Sequence, residues 1–231
     1  MAHPALDPMR AQVAEALVAY LDSPGANPAK LLAASGPTLD AAIAADRAVR
    51  SSPTMTAHRR YNGVVHQAAD LASVAARRRS QVRIVSGLWG MVAAGDPVPL
   101  YRLKMSASLP GLGRLSSFWR SALTAEIAGM ATGRVIFDLL PQEHSCAWDP
   151  AGVDYAQRVC VRFVDQRPDG SRVVVSHSAK ALKGQLARFL LQSGVTVGAA
   201  VADFVAAGYV LERGDSELAG REALATFVRR Q

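Results

Sequence analysis

Residues 159–164 and 172–176 are two runs rich in β-branched side chains, joined across Arg167-Pro168-Asp169-Gly170. That pairing constrains the fold more than any other feature of the chain. Asp-Gly reverses a chain readily, because the aspartate bonds its own following backbone and the glycine accepts positive φ. An isolated hairpin is marginal in water and needs further strands or a helix against one face. Residues 82–86 and 134–140 supply two more short buried runs. Helical patterning covers 8–21, 28–34 behind an Asn27 cap, 39–50 behind Thr38, 64–79, 116–129 and 178–192. Residues 197–207 also read as helix, 209–212 as a closing strand and the tail from Ser216 as helix. This interleaving predicts an α/β protein with a mixed central sheet covered by helices, the four strand runs sharing that sheet. One domain over 1–231 is expected: a helical part to residue 60, a sheet-containing core over 61–212 and a C-terminal tail.

Half of the 231 residues are apolar, enough to bury a sizeable core. The 26 Lys and Arg outnumber the 19 Asp and Glu, giving a formal charge of +7 that favours polyanions, although solvated helix surfaces account for much of the arginine. Two cysteines, Cys146 and Cys160, make no disulfide framework in a chain of this length and read as reduced thiols in a cytoplasmic protein. Residues 1–10 carry two prolines and an aspartate where a leader needs an apolar stretch. The most apolar segment, 194–211, contains Asp203 and falls short of a membrane span.

Three local patterns bear on chemistry. Ser86-Gly87-Leu88-Trp89-Gly90 follows a strand, so its amides form either an anion nest or a plain tight turn. Lys180 falls in the first turn of the helix over 178–192, where it opposes the helix dipole and calls for an anionic ligand or a carboxylate such as Asp138 or Glu143. Glu143-His144-Ser145-Cys146 has neither the spacing of a metal site nor a nucleophile elbow, and Cys146 reads as a packed thiol. No metal and no cofactor are expected.

From Tyr61 onward a series of motifs is similar, in order and spacing, to the YaaA peroxide-stress family. They are Tyr61-Asn62-Gly63, the strand and turn over 84–90, Asp96, Tyr101-Arg102-Leu103-Lys104-Met105 and Phe118-Trp119, then Asp138 through Glu143 and Ser176-His177 through Lys180, Lys183, Gly184 and Arg188. The resemblance implies a single mixed α/β domain, a positively charged cleft, a cytosolic role in oxidative-stress tolerance and a helix-hairpin-helix type of association with DNA. Two turns are candidates for that hairpin, Leu109-Pro110-Gly111-Leu112-Gly113 and Ser35-Gly36-Pro37-Thr38. The family's opening strand and Gly-Lys loop have no counterpart here, and Pro141 and His144 depart from its pattern.

These readings lead to a cytosolic stress protein that binds duplex DNA without sequence preference. Its candidate cleft is lined by Tyr61, Ser86, Gly87, Trp89, Gly90, Tyr101, Arg102, Lys104, Asp138, Glu143, Ser176, His177, Lys180, Lys183 and Arg188. The alternative is an enzyme or ligand-binding protein in which Arg102, Lys180 and the 86–90 turn hold a small anion.

Overall fold

A computed structural model describes residues 1–175, 178–194 and 198–231. Its elements, in chain order, are α1 (Asp7–Asp22), α2 (Pro28–Leu32), α3 (Gly36–Arg47), β1 (Thr54–Thr56), α4 (Ala57–Arg60), α5 (Val64–Ala69), α6 (Ala76–Arg79), β2 (Arg83–Ser86), β3 (Gly90–Ala93) and β4 (Pro97–Pro99). They continue as β5 (Ser108–Leu109), β6 (Gly113–Arg114), α7 (Leu115–Ala131), β7 (Val135–Asp138), α8 (Gln142–Ser145), β8 (Gln157–Gln166), β9 (Arg172–Val174), α9 (Ser178–Ser193), β10 (Val210–Leu211) and β11 (Glu222–Arg230). The α/β class stands. The chain divides into two compact units, the first comprising Met1–Arg60, Ser80–Gly129 and Leu140–Val153, the second Tyr61–Arg79, Met130–Leu139 and Asp154–Gln231.

The first unit joins helices to three two-stranded pieces, β1 with β4, β2 with β3 and β5 with β6. The run at 82–86 is therefore not part of the main sheet as expected. It doubles back on β3 through the 86–90 turn, Arg83 opposite Ala93 and Ser86 opposite Gly90. Gly87 is obligatory there, since a Cβ would lie 2.7 Å from the Lys104 carbonyl carbon. Leu17, Leu88, Met105, Leu115 and Trp119 are fully buried in this unit. The Leu109 to Gly113 turn closes the β5–β6 hairpin, with no helix before it, so the helix-hairpin-helix expectation fails at that turn. The other candidate does connect two helices, the five-residue α2 and α3. Asn27 caps α2 as expected, its side chain accepting from the Lys30 amide at 3.0 Å.

The second unit is a five-stranded mixed sheet in the order β10-β11-β8-β7, with β9 also on β8. The β8–β9 hairpin forms as expected, Val164 opposite Val174, and the Asp169 carboxylate takes the Ser171 amide at 2.8 Å. The tail is a correction: residues 222–230 form β11, parallel to β8 over its length, instead of helix. Glu-Ala-Leu-Ala favours helix locally, but a strand paired on both sides buries Ala223, Ala225, Phe227 and Val228. Val159, Val161 and Phe163 of β8 form the core with Ala225 and Phe227 of β11 and with Leu182, Leu186 and Leu190 of α9. α9 also lies close to α5, because a Cβ on Gly184 would sit 2.3 Å from the Val65 carbonyl oxygen. The helical reading of 64–79 is interrupted at Asp70, which adopts φ 42° between α5 and a short 3-10 turn.

Candidate functional site

Alternation along β8 sends Val159, Val161 and Phe163 into the core and Arg158, Cys160 and Arg162 to the opposite face of the sheet. β11 accompanies β8 along one edge from Arg158 to Gln166. On the other edge β7 pairs in parallel only as far as Asp138, opposite Cys160, and antiparallel β9 begins only at Val174, opposite Val164. Beyond Val174 the Val175 amide donates to the Phe163 carbonyl at 2.9 Å. Along this edge the partner of β8 thus changes from parallel β7 to antiparallel β9.

Ionisable groups gather around Asp138 and the first residues of β8. The buried Asp138 carboxylate accepts from Arg158 Nε at 2.9 Å and Nη2 at 2.6 Å, and Arg158 Nη1 reaches Glu222 at 3.3 Å. The Tyr155 hydroxyl donates to the other oxygen of Glu222. Burial, reinforced by that carboxylate, pushes the phenol up to about 12. The Lys183 ammonium is held below the usual lysine range by burial, against the attraction of Asp138 and Cys160. Burial also raises the Cys160 thiol, so it is a poor thiolate at neutral pH. Arg162 is exposed on this face. Its Nε donates to the Thr226 hydroxyl at 2.9 Å, and Thr226, fully buried, donates in turn to the Asp215 carbonyl at 2.7 Å.

Of the expected cleft residues, the structure brings Asp138 and Lys183 together here. Lys180 is exposed on the first turn of α9, Arg188 pairs with Asp70 at 3.4 Å, and Tyr61 stacks on His66 at 5.4 Å between centroids, all in the second unit. Ser176 and His177 lie outside the described residues. The remainder belong to the first unit. Ser86 Oγ lies 2.5 Å from the Tyr101 hydroxyl and accepts the Trp89 amide at 3.1 Å, and the whole 86–90 turn is buried. Arg102 donates to the Leu32 and Ala33 carbonyls at 2.8 and 3.0 Å, and its amide to Asp46 at 2.7 Å. Glu143 accepts from Ser106 at 2.9 Å, and Lys104 is exposed.

Arg158, Arg162, Glu222 and Thr226 are absent from the sequence-derived cleft. The period-two string Arg158-Val159-Cys160-Val161-Arg162-Phe163 carries the signal for the first two, because every second residue is polar. Glu222 and Thr226 had no such signal, the segment reading as helix. Among the described residues no three of His, Cys, Asp and Glu gather into a metal-holding group, and no helix is long and apolar enough to cross a membrane.

The family model described as peroxide stress protein YaaA matches residues 3–214, and the chain belongs to this family. A UPF0246 protein of Streptomyces coelicolor is 39% identical over 138 residues, covering 58% of this chain and 52% of the relative. One from Corynebacterium efficiens is 34% identical over 191 residues, covering 80% of this chain and 74% of that one. A third, from a Ruegeria species, is 32% identical over 149 residues, covering 62% and 58%. The matched region thus spans about half the length of the Streptomyces relative.

Proposed function

We propose that this member of the peroxide-stress family acts in the cytoplasm by binding duplex DNA without sequence preference, through the basic surface of the second unit. The observation that carries the reading is the distribution of charge: the second unit has 15 Lys and Arg against 10 Asp and Glu, the first 11 against 9. A positive excess attracts a phosphate backbone with no need for base contacts. The small-anion alternative is weakened by the hydrogen bonds of its parts. Arg102 is bound to two carbonyls, and the Ser86 hydroxyl and Trp89 amide to each other. Fluorescence anisotropy with labelled duplexes of unrelated sequence tests the proposal. Three or more phosphate contacts should weaken binding roughly 40-fold between 50 and 200 mM salt, equally for every sequence. No binding at 50 mM, or affinity indifferent to salt, contradicts it.

A further inference from the structure

Asp46 of α3 has no exposed surface. Its Oδ1 takes the Arg102 amide at 2.7 Å, and its Oδ2, equally enclosed, has no hydrogen-bond partner among the described residues. The guanidinium of the same Arg102 does not turn to that carboxyl. It donates from Nε to the Leu32 carbonyl at 2.8 Å and from Nη2 to the Ala33 carbonyl at 3.0 Å. These lie at the end of α2, where a helix leaves its carbonyls unpaired. Ala33 stands there at φ 45°, a left-handed conformation that costs an alanine free energy. Arg102 thus latches the end of a five-residue helix while a buried carboxyl beside its own backbone stays half-satisfied. The surrounding charges are occupied or turned to solvent. On α1, Asp7 pairs with Arg10, Glu15 with Arg50 and Asp22 with Arg47, while Lys30 of α2, Asp40 of α3 and Lys104 are exposed. Arg102 is the charge that acts on the carboxyl, whose pKa burial raises to about 7.

We infer that Asp46 and Arg102 form a latch worked by a single proton. With Asp46 protonated, Arg102 holds the end of α2. When the proton leaves to solvent, the guanidinium swings to the Asp46 carboxylate and releases the Leu32 and Ala33 carbonyls. A buried carboxylate without a counter-ion is costly, and its bonds to arginine are about twice as strong as those of arginine to a neutral carbonyl. The movement is short, because the Arg102 amide already sits on Oδ1. Release leaves the strained Ala33 without its side-chain support and loosens the turn from α2 into α3. The latch belongs to the first unit and does not rest on the DNA reading.

Nuclear magnetic resonance of the whole chain between about pH 5 and 8.5 tests the latch. The Asp46 Cγ resonance reports ionisation, and the Arg102 Cζ resonance, assigned by its loss in Arg102→Met, reports the guanidinium. Hydrogen exchange of the Ala33 and Ala34 amides, both bonded to the Ala29 carbonyl, reports the end of α2. The expected result is one shared midpoint for the two resonances. Above it, amide exchange relative to the intrinsic rate should rise several-fold. Asp46→Asn keeps the shape and removes the charge, so the Arg102 resonance and the relative exchange should then be independent of pH. Arg102→Met should exchange these amides fast at every pH. If Asp46→Asn does not fold, the wild-type midpoints and Arg102→Met carry the test. An Arg102 resonance that stays still while Asp46 titrates overturns the inference, as does an Asp46 carboxyl that does not titrate in this range. A pH response of Arg102 that persists in Asp46→Asn overturns it as well.

Discussion

The two units satisfy their main chain by different means. In the first, strands are two to four residues long, and side chains complete what ladders leave undone. Arg10, nearly fully buried, donates to the Trp89 and Met91 carbonyls, Arg102 to those of Leu32 and Ala33, and the Trp119 indole to that of Gly87. In the second, a five-stranded ladder does this work, and the core is apolar, with Phe163 stacked on Phe227 and edge-on to Tyr209. Buried carbonyls must be paired in either case. Where strands are short, arginine side chains take the carbonyls that ladders leave. Where the ladder is long, the strands pair these groups themselves.

The largest effect expected from this contrast is at Gly184. Ladder-and-helix packing leaves no room there, so Gly184→Ala, which drives a methyl group into the Val65 carbonyl and the Ala68 side chain, should cost about 3 kcal/mol in urea denaturation. A loss below about 1 kcal/mol would show that α5 and α9 can part freely.

A pH-dependent effect marks the first unit's reliance on buried polar groups. Asp46 is fully buried, one carboxylate oxygen takes the Arg102 amide, and the other has no hydrogen-bond partner among the described residues. Burial raises its pKa to about 7, although the Arg102 amide and charge oppose the shift. The folded state therefore holds the proton more tightly than the unfolded chain. This stabilisation is complete below about pH 4, is lost as pH rises through about 7 and is flat above, with a slope of at most about 1.4 kcal/mol per pH unit. Subtracting the stability curve of Asp46→Asn from that of the wild type isolates the effect. A difference independent of pH between 4 and 8 would mean that Asp46 stays ionised in the fold.

How much of this was legible depends on whether local chemistry or distant pairing decides. The Asn27 cap and the Asp169-Gly170 turn are settled within four residues, and both appear as expected. α9 is readable because Leu182, Leu186 and Leu190 recur at helical spacing. β11 is not, because its strand state comes from β8, some 60 residues earlier in the chain, and nothing in Glu-Ala-Leu-Ala announces that partner. The strand at 82–86 is recognisable locally but its partner is not, since its pairing depends on how tightly 86–90 turns. The site shows the same divide. The lysine influenced by Asp138 is Lys183 and not the expected Lys180, because the face that α9 turns to the core through Leu182 and Leu186 decides which flank is buried. The ion pair of Asp138 with Arg158 requires the parallel register of β7 on β8, which sequence spacing does not encode.

On the reading proposed above, charge on the second unit, and not net charge alone, engages a polyanion. The most direct measurement compares the salt dependence of duplex affinity in two double variants, Arg162→Met with Lys180→Met in the second unit and Lys30→Met with Arg59→Met in the first, all four residues being exposed. Both remove two positive charges. The slope should be shallower by about 2 in the second-unit variant and nearly unchanged in the first-unit variant. Equal slopes in the two variants, or a loss confined to the first unit, would contradict it.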